Sequence, residues 1–344
     1  MGNPAPTIKD IALKAGVSYS TVSRAINGKK GVKPEVRETV LKIANEINYF
    51  PHSSAKALVQ KRVGVIGVII PRTSEFAFQN PFYSRILLGL SSVANEYQYQ
   101  LMLSINNQVD VASLYYRRQV DGIVVIANRI HDKKLIKTYE DGIPVVAVPG
   151  FPADSGVGIP SVNSENAKSM YRAVRYLMGL GHRRIGFIMG KMDSWYSIER
   201  LSAFKQAFAD KGIFCDENLI RESDFSKTAG FRIMGELLDL AQPPTSVICM
   251  NDSITPGALH QIHSRKLSIP DDISILAIGC SDMYELFHPP LTTIKTPVID
   301  IGKKAAAMLI KTIENGDPVE RHHVLDSDLI IRESTGELPR KETV

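Results

Sequence analysis

Thr7-Ile8-Lys9-Asp10-Ile11-Ala12-Leu13-Lys14-Ala15-Gly16-Val17-Ser18-Tyr19-Ser20-Thr21-Val22-Ser23-Arg24-Ala25-Ile26-Asn27 decides how the start of this 344-residue chain folds. Thr7 can cap a helix, and Asp10 stands where the acid of a capping box would stand. Ile8, Ile11, Ala12 and Ala15 share one helical face. Gly16 stops that helix because it takes the left-handed conformation without penalty. Val17 plugs the core, and Ser18 is the next cap. Tyr19 to Asn27 reads as a second short helix with Val22 and Ile26 turned inward, ended by Gly28. A basic loop, Lys29-Lys30-Gly31, leads to Pro34, which suits the first turn of a third helix although Lys33 before it is a poor cap. Val36, Val40, Ile43, Ala44 and Ile47 form that helix's apolar stripe.

Three short helices with a glycine turn between the first two predict a helix-turn-helix, whose second helix enters the DNA major groove. Tyr19, Ser20, Thr21 and Arg24 then face outward, able to bond base edges and phosphates. Arg24 is long enough for bidentate contact with a guanine; a phosphate clamp or a solvated charge is the other reading. Charge agrees with a polyanion partner. Residues 1–62 hold 11 Lys or Arg against four acids, and the remainder holds 30 against 32. All the excess positive charge of a chain of net +5 is therefore in its first module.

From Arg62 the pattern changes. Val63–Ile70 is a continuous apolar run of strand length, and Leu101–Ile105, Gly122–Ile126, Val145–Val148, Ile185–Met189, Ser246–Met250 and Ile273–Ile278 resemble it. Amphipathic segments lie between them, including Phe82–Tyr97, Ala167–Leu180, Leu201–Lys211 and Ile254–Lys266. Buried strands alternating with helices predict an α/β body of parallel sheets covered on both faces. The order repeats, which suggests two Rossmann-like halves with a cleft at the carboxyl ends of their strands.

Several classes are disfavoured. No apolar run approaches the roughly 18 residues that span a bilayer, and the amino-terminal residues lack the basic start and apolar core of a signal peptide. The expected location is the bacterial cytoplasm, in association with the nucleoid. Cys215, Cys249 and Cys280 are scattered and odd in number, so they read as buried structural thiols, with neither disulfide nor metal spacing. The phosphate-binding, nucleophile-elbow, zinc-helix and dinucleotide motifs are absent, which argues against an enzyme. The body alone would suit a plain solute-binding protein; the basic reader argues against that.

Thr7–Ala12, Ala15–Ser18, Thr21–Asn27 and Ile47-Asn48-Tyr49-Phe50-Pro51 closely resemble the LacI/GalR family of repressors. Further matching stretches run along the body: Asn80-Pro81-Phe82-Tyr83, Val120-Asp121-Gly122-Ile123, Leu180–Gly186, Arg200-Leu201, Asn251-Asp252, Pro289–Ile294 and Ile331–Gly336. The resemblance implies a DNA-binding domain over 1–50, a hinge helix over 51–61 and an effector-binding, dimerising domain over 62–344, similar to periplasmic sugar-binding proteins. Its N-lobe would comprise 62–162 and 293–325, and its C-lobe 163–292 and 326–340. The implied DNA site includes Thr7, Ser18, Tyr19, Ser20, Thr21, Ser23, Arg24, Asn27 and Tyr49. From the hinge it adds His52, Ala55, Lys56 and Leu58, the last falling on the position of a leucine wedge that kinks the minor groove. His52 and Ser53 depart from the residues more usual after Pro51.

In the cleft the resemblance places Phe82, Tyr83, Trp195, Arg200, Asn251 and Asp282. Arg200 would hydrogen-bond the effector, a role suited to a guanidinium fork. Phe82 and Tyr83 can stack on a sugar or a base, and Trp195 on a pyranose face, although packing serves Trp195 equally well. Ser281 replaces the family's more common acid, so that contact shifts to Asp282 or is lost. The expected assembly is a homodimer on double-stranded operator DNA, since the tail after Gly336 has no leucine heptad. The expected ligand is a small-molecule effector, a sugar rather than a purine, with no cofactor and no metal; a protein co-effector is a further option. Phe78–Tyr83 and Val120–Arg129 resemble the maltose-operon branch, which implies an α-glucoside.

Overall fold

The computed structural model describes residues 6–49, 62–105, 110–127, 129–130, 132–151, 156–316 and 321–338. It divides into two compact units, Met1–Val63 and Gly64–Val344.

Among its described residues the first unit has three helices: α1 (Ile8–Ala15), α2 (Tyr19–Ile26) and α3 (Pro34–Glu46). Gly16 ends α1 at φ +62°, in the left-handed region that lets its amide bond back to Ala12 O. The core is Ile11, Ala12, Val22, Ala25, Val40 and Ala44, with Ile8, Val17, Ile26 and Val36 packed around it. Ala25 is the fully buried residue of α2's second turn and Ile26 is half-buried, so the inward face is rotated slightly from the expected Val22–Ile26 pair.

The second unit begins with β1 (Val65–Ile70), α4 (Ser74–Gln79), α5 (Pro81–Glu96), β2 (Gln100–Ile105), α6 (Val111–Tyr116), β3 (Gly122–Ile126), α7 (Lys133–Glu140), β4 (Val145–Val148) and β5 (Ser161–Ser164). It continues through α8 (Asn166–Gly179), β6 (Ile185–Met189), α9 (Trp195–Ala209), β7 (Ile220–Glu222), α10 (Lys227–Leu238), β8 (Ser246–Cys249), α11 (Ile254–Ser264) and β9 (Ser274–Gly279). Then come β10 (Thr292–Lys295), α12 (Val298–Asn315), β11 (His322–Leu325) and β12 (Asp328–Ile330).

The strands form two six-stranded sheets, ordered β11-β5-β4-β3-β1-β2 and β12-β10-β9-β8-β6-β7. Every pairing is parallel except β10 with β12, which closes one edge of the second sheet antiparallel. The near-continuous apolar character of β1, β3, β4, β6, β8 and β9 follows from burial on both faces. In the first lobe one face packs on α5 and α12 and the other on a cluster built from Ile69, Val125, Leu135 and Phe151. The second lobe has a single large cluster that includes Met170, Phe187, Phe204, Ile248 and Leu276.

The chain passes between lobes three times. Strand β5 stays in the first sheet to Ser164, and β10 stays in the second to Lys295. Those two crossings therefore lie slightly later than Asn163 and Thr293, because each strand completes its ladder before leaving. The third lies between Leu325 and Asp328. Both sheets present their carboxyl ends to one cleft.

Candidate functional site

In the first unit, Ser18 fixes the start of α2. Its Oγ accepts from the Thr21 amide at 3.2 Å and lies 2.8 Å from Ser20 Oγ and 2.9 Å from Thr21 Oγ1. Tyr19, Ser20, Arg24 and Asn27 are exposed, Thr21 and Ser23 are half-exposed, and Val22 and Ala25 anchor the opposite side. Asn27 donates to Ser23 O at 2.8 Å. The loop beyond α2 is tied to α3 by Arg37, which donates to Lys29 O at 2.6 Å. Thr7 is at the start of α1, where its amide and hydroxyl both donate to Asp10 at 2.7 Å and hold that carboxyl below its usual range. Tyr49 is half-buried against the helical core. His52, Ala55, Lys56 and Leu58 lie outside the described residues. The result is one outward helix face of hydroxyls, an amide, a phenol and a guanidinium, with no acid on it.

In the second unit a cavity of about 710 Å³, open mouth included, lies between the lobes. The first lobe supplies Arg72, Phe76, Asn80, Phe82 and Tyr83; the second supplies Tyr196, Arg200, Phe225, Asn251 and Asp252. Arg200 is buried, and its one hydrogen bond among the described residues, to Met250 O, is long at 3.4 Å. Its Nε has no partner among the described residues, and its guanidinium lies 5.4 Å from the centre of the Tyr196 ring. Burial pulls its pKa down from 12.5 to about 10. A buried cation so thinly paired calls for an acceptor from outside the protein. Burial also raises the Tyr83 phenol, against the pull of Arg72 beside it.

Two expectations for the cleft change, and a third, Asn251, is narrowed. Asn251 lines the cavity, but its Oδ1 already accepts from the Ser253 and Ile254 amides at 3.1 and 2.7 Å, because it turns the chain into α11. Asp282 is outside the cavity wall: it is largely exposed and pairs with Arg85 at 2.7 Å and Lys295 at 3.3 Å. Trp195 is not among the lining residues either; it packs, partly buried, against the first lobe's Ile69–Phe151 cluster. Phe82, Tyr83 and Arg200 are in the wall as expected.

Residues the sequence reading did not single out complete the site. Asp252 takes the acidic place, accepting from the Cys280 and Ser281 amides at 3.1 and 2.9 Å. Phe225 sits at φ +67°, rare for a bulky residue, with its ring against Gly190 and 6.2 Å from Phe76 across the cleft. Its signal was weak, because β7 just before it is only three residues long. Arg72 and Phe76 follow directly from β1, a place the carboxyl-end rule would have flagged.

Two family models match the chain: the lacI family of bacterial regulatory proteins over residues 7–52, and a periplasmic binding protein-like domain over residues 174–335. The HTH-type transcriptional repressor CytR of Escherichia coli K12 is 33% identical over 340 residues, 97% of this chain and 98% of that protein. A solved structure of the transcriptional regulator CelR in complex with cellobiose is 28% identical, with a TM-score of 0.73, covering 96% of this chain and 99% of that one. The lac repressor dimer bound to operator and an anti-inducer shares the fold, with a TM-score of 0.85 at 24% identity. The family is one of DNA-binding regulators, not of enzymes, and no described helix is long and apolar enough to cross a membrane. The chain belongs to the lacI family of bacterial regulatory proteins.

Proposed function

We propose that the protein is an effector-responsive transcriptional repressor that binds a near-palindromic operator as a homodimer. A small molecule held between the lobes sets its operator affinity. The carrying observation is the buried, thinly paired Arg200 in a cavity walled by both lobes. A ligand that bonds Arg200 while touching both walls favours one lobe arrangement over another, and that differential affinity is what shifts an equilibrium. On the DNA side, Tyr19, Ser20, Thr21 and Arg24 read base edges. Thr7, Ser18, Ser23, Asn27 and Tyr49 position the helix, and the segment bearing His52, Ala55, Lys56 and Leu58 adds minor-groove contacts.

A sugar, with an α-glucoside first among the candidates, is the effector we put forward; a cellobiose complex among the similar structures supports a sugar, though cellobiose is itself a β-glucoside. The regulated genes would then serve carbohydrate use. One observation favours a second reading. Five aromatic rings line the cavity, while the side chains of Asn251 and Asp252 are already engaged with backbone amides. Such a wall stacks a flat heteroaromatic ring better than it satisfies many hydroxyls.

Electrophoretic shift on a palindromic operator library, at several salt concentrations, tests the proposal. Maltose, cellobiose, ribose and a set of nucleosides are added in turn. One enriched palindrome with a steep salt slope, released or tightened by one compound, is the expected result. Salt-sensitive binding with no sequence preference would refute it.

A further inference from the structure

The turn before α9 does more than border the cavity. Asp193, Ser194 and Trp195 belong to the second lobe by chain order, yet two of them reach the first. The Arg129 guanidinium donates to the Asp193 carboxylate at 2.5 Å, and the Ile130 amide donates to the Asp193 carbonyl at 3.1 Å. Trp195, partly buried, packs its indole against the first lobe's own core cluster, and its Nε1 is sealed from solvent with no partner among the described residues. Elsewhere around the cleft, Asp282 of the second lobe pairs with Arg85 of α5. Cys280, at the end of β9, is buried in the first lobe's other cluster.

We propose that Asp193 and Trp195 form a clasp that sets lobe closure without touching the effector, backed by the Arg85–Asp282 pair. All are positioning residues. The clasp opens helix α9, and Tyr196 and Arg200 follow on the same helix in the cavity wall. A ligand bonding Arg200 therefore pulls on the element that seats Trp195 in the opposite lobe. The regulatory consequence rests on the effector reading above; the clasp itself does not.

Two native thiols make this measurable in the full chain without any effector. Cys280 lines the cavity yet is only 3% exposed, so its access increases when the lobes part, whereas Cys249 is buried inside the second lobe's own core and reacts only when that lobe unfolds. N-ethylmaleimide labelling is followed peptide by peptide by mass spectrometry. Arg129→Ala and Arg85→Ala should each raise the Cys280 labelling rate about two- to fivefold, the population change expected of one partly exposed ion pair. Cys249 should not change. Added KCl should accelerate Cys280 in the wild type and less so in the double variant. Trp195→Ala should give the largest rise, and Trp195→Phe a smaller one because a ring still fills the site. Cys280 labelling indifferent to all of these variants, or rising in step with Cys249, would overturn the clasp and leave the effector reading standing. If the clasp opens while operator affinity stays constant, the clasp stands and the link from closure to DNA fails.

Discussion

Replacing Arg200 by Met should make the protein more stable and deaf to its effector. The residue is 6% exposed and makes one long hydrogen bond among the described residues, and the pull of Tyr196, Glu199 and Asp252 does not offset its desolvation. Its pKa falls from 12.5 in water to about 10 in place. At 1.36 kcal/mol per pH unit this corresponds to roughly 3 kcal/mol of penalty for keeping the charge. Because the folded value lies below the unfolded one, the unfolded chain binds the extra proton between about pH 10 and 12.5, and below that window the whole penalty is present. The contact with the Tyr196 ring returns about 0.5–2 kcal/mol. Methionine fills much of the same volume with no charge, so a net gain of about 1–3 kcal/mol is expected. For a unit of this size that raises Tm by about 2–4 °C per kcal/mol. The same variant should lose the operator response, since the unpaired Nε is the group we assign to the ligand. Calorimetry and operator shift on one preparation measure both. A variant that melts below wild type would mean that Arg200 is satisfied inside the free protein, and the argument for a ligand acceptor would collapse. A variant that keeps its response would place the ligand elsewhere.

Three other outcomes follow from local geometry. Ser18→Ala removes the acceptor for the Thr21 amide and should cost about 1 kcal/mol of the first unit, read as lost hydrogen-exchange protection across α2 with the second unit unaffected. Gly190→Ala would put a Cβ 2.0 Å from the Phe225 ring, so the ring must leave the cavity wall; a cost of about 1–3 kcal/mol is expected, and an unchanged Tm would show that Phe225 is free to swing. His182 is buried, bonded to Thr245 Oγ1 and Gly336 O, and burial holds its pKa below 6.5. Its stabilising contribution is therefore complete above pH 6.5 and declines as acid protonates the unfolded form first. His182→Gln should flatten that acid limb of the denaturant midpoint; an unaltered limb would assign it to other groups.

Periodicity carries information about neighbours along the chain, and the parts read correctly are those in which neighbours suffice. Each buried strand needs apolar side chains on both faces, so β3, β4 and β6 could be bounded to the residue. The Thr7–Asp10 box and the Gly16 stop are likewise local. The antiparallel β12 was not legible, because a three-residue edge strand has no pattern of its own. The cleft shows the limit more sharply. Asp252 and Asp282 are both acids in loops after buried strands, and nothing local separates them. What separates them is Arg85, 197 positions before Asp282, and the Cys280 and Ser281 amides, 28 and 29 positions after Asp252.

Trp195 makes the same point about function. Its neighbours on α9, Tyr196 and Arg200, do face the cavity, and the family resemblance offered Trp195 as a stacking platform with packing as the equal alternative. Its fate was decided by the cluster around Ile69 and Phe151, residues that belong to the other lobe. A residue that crosses from one lobe into the core of the other cannot be found from its own segment. Its burial exists only while the lobes are together, so its energy is a property of closure. That is why the cavity and the clasp, though adjacent in sequence, should separate under mutation. Arg200 variants should change what is bound, and Asp193 or Arg129 variants should change how readily the lobes part with nothing bound at all.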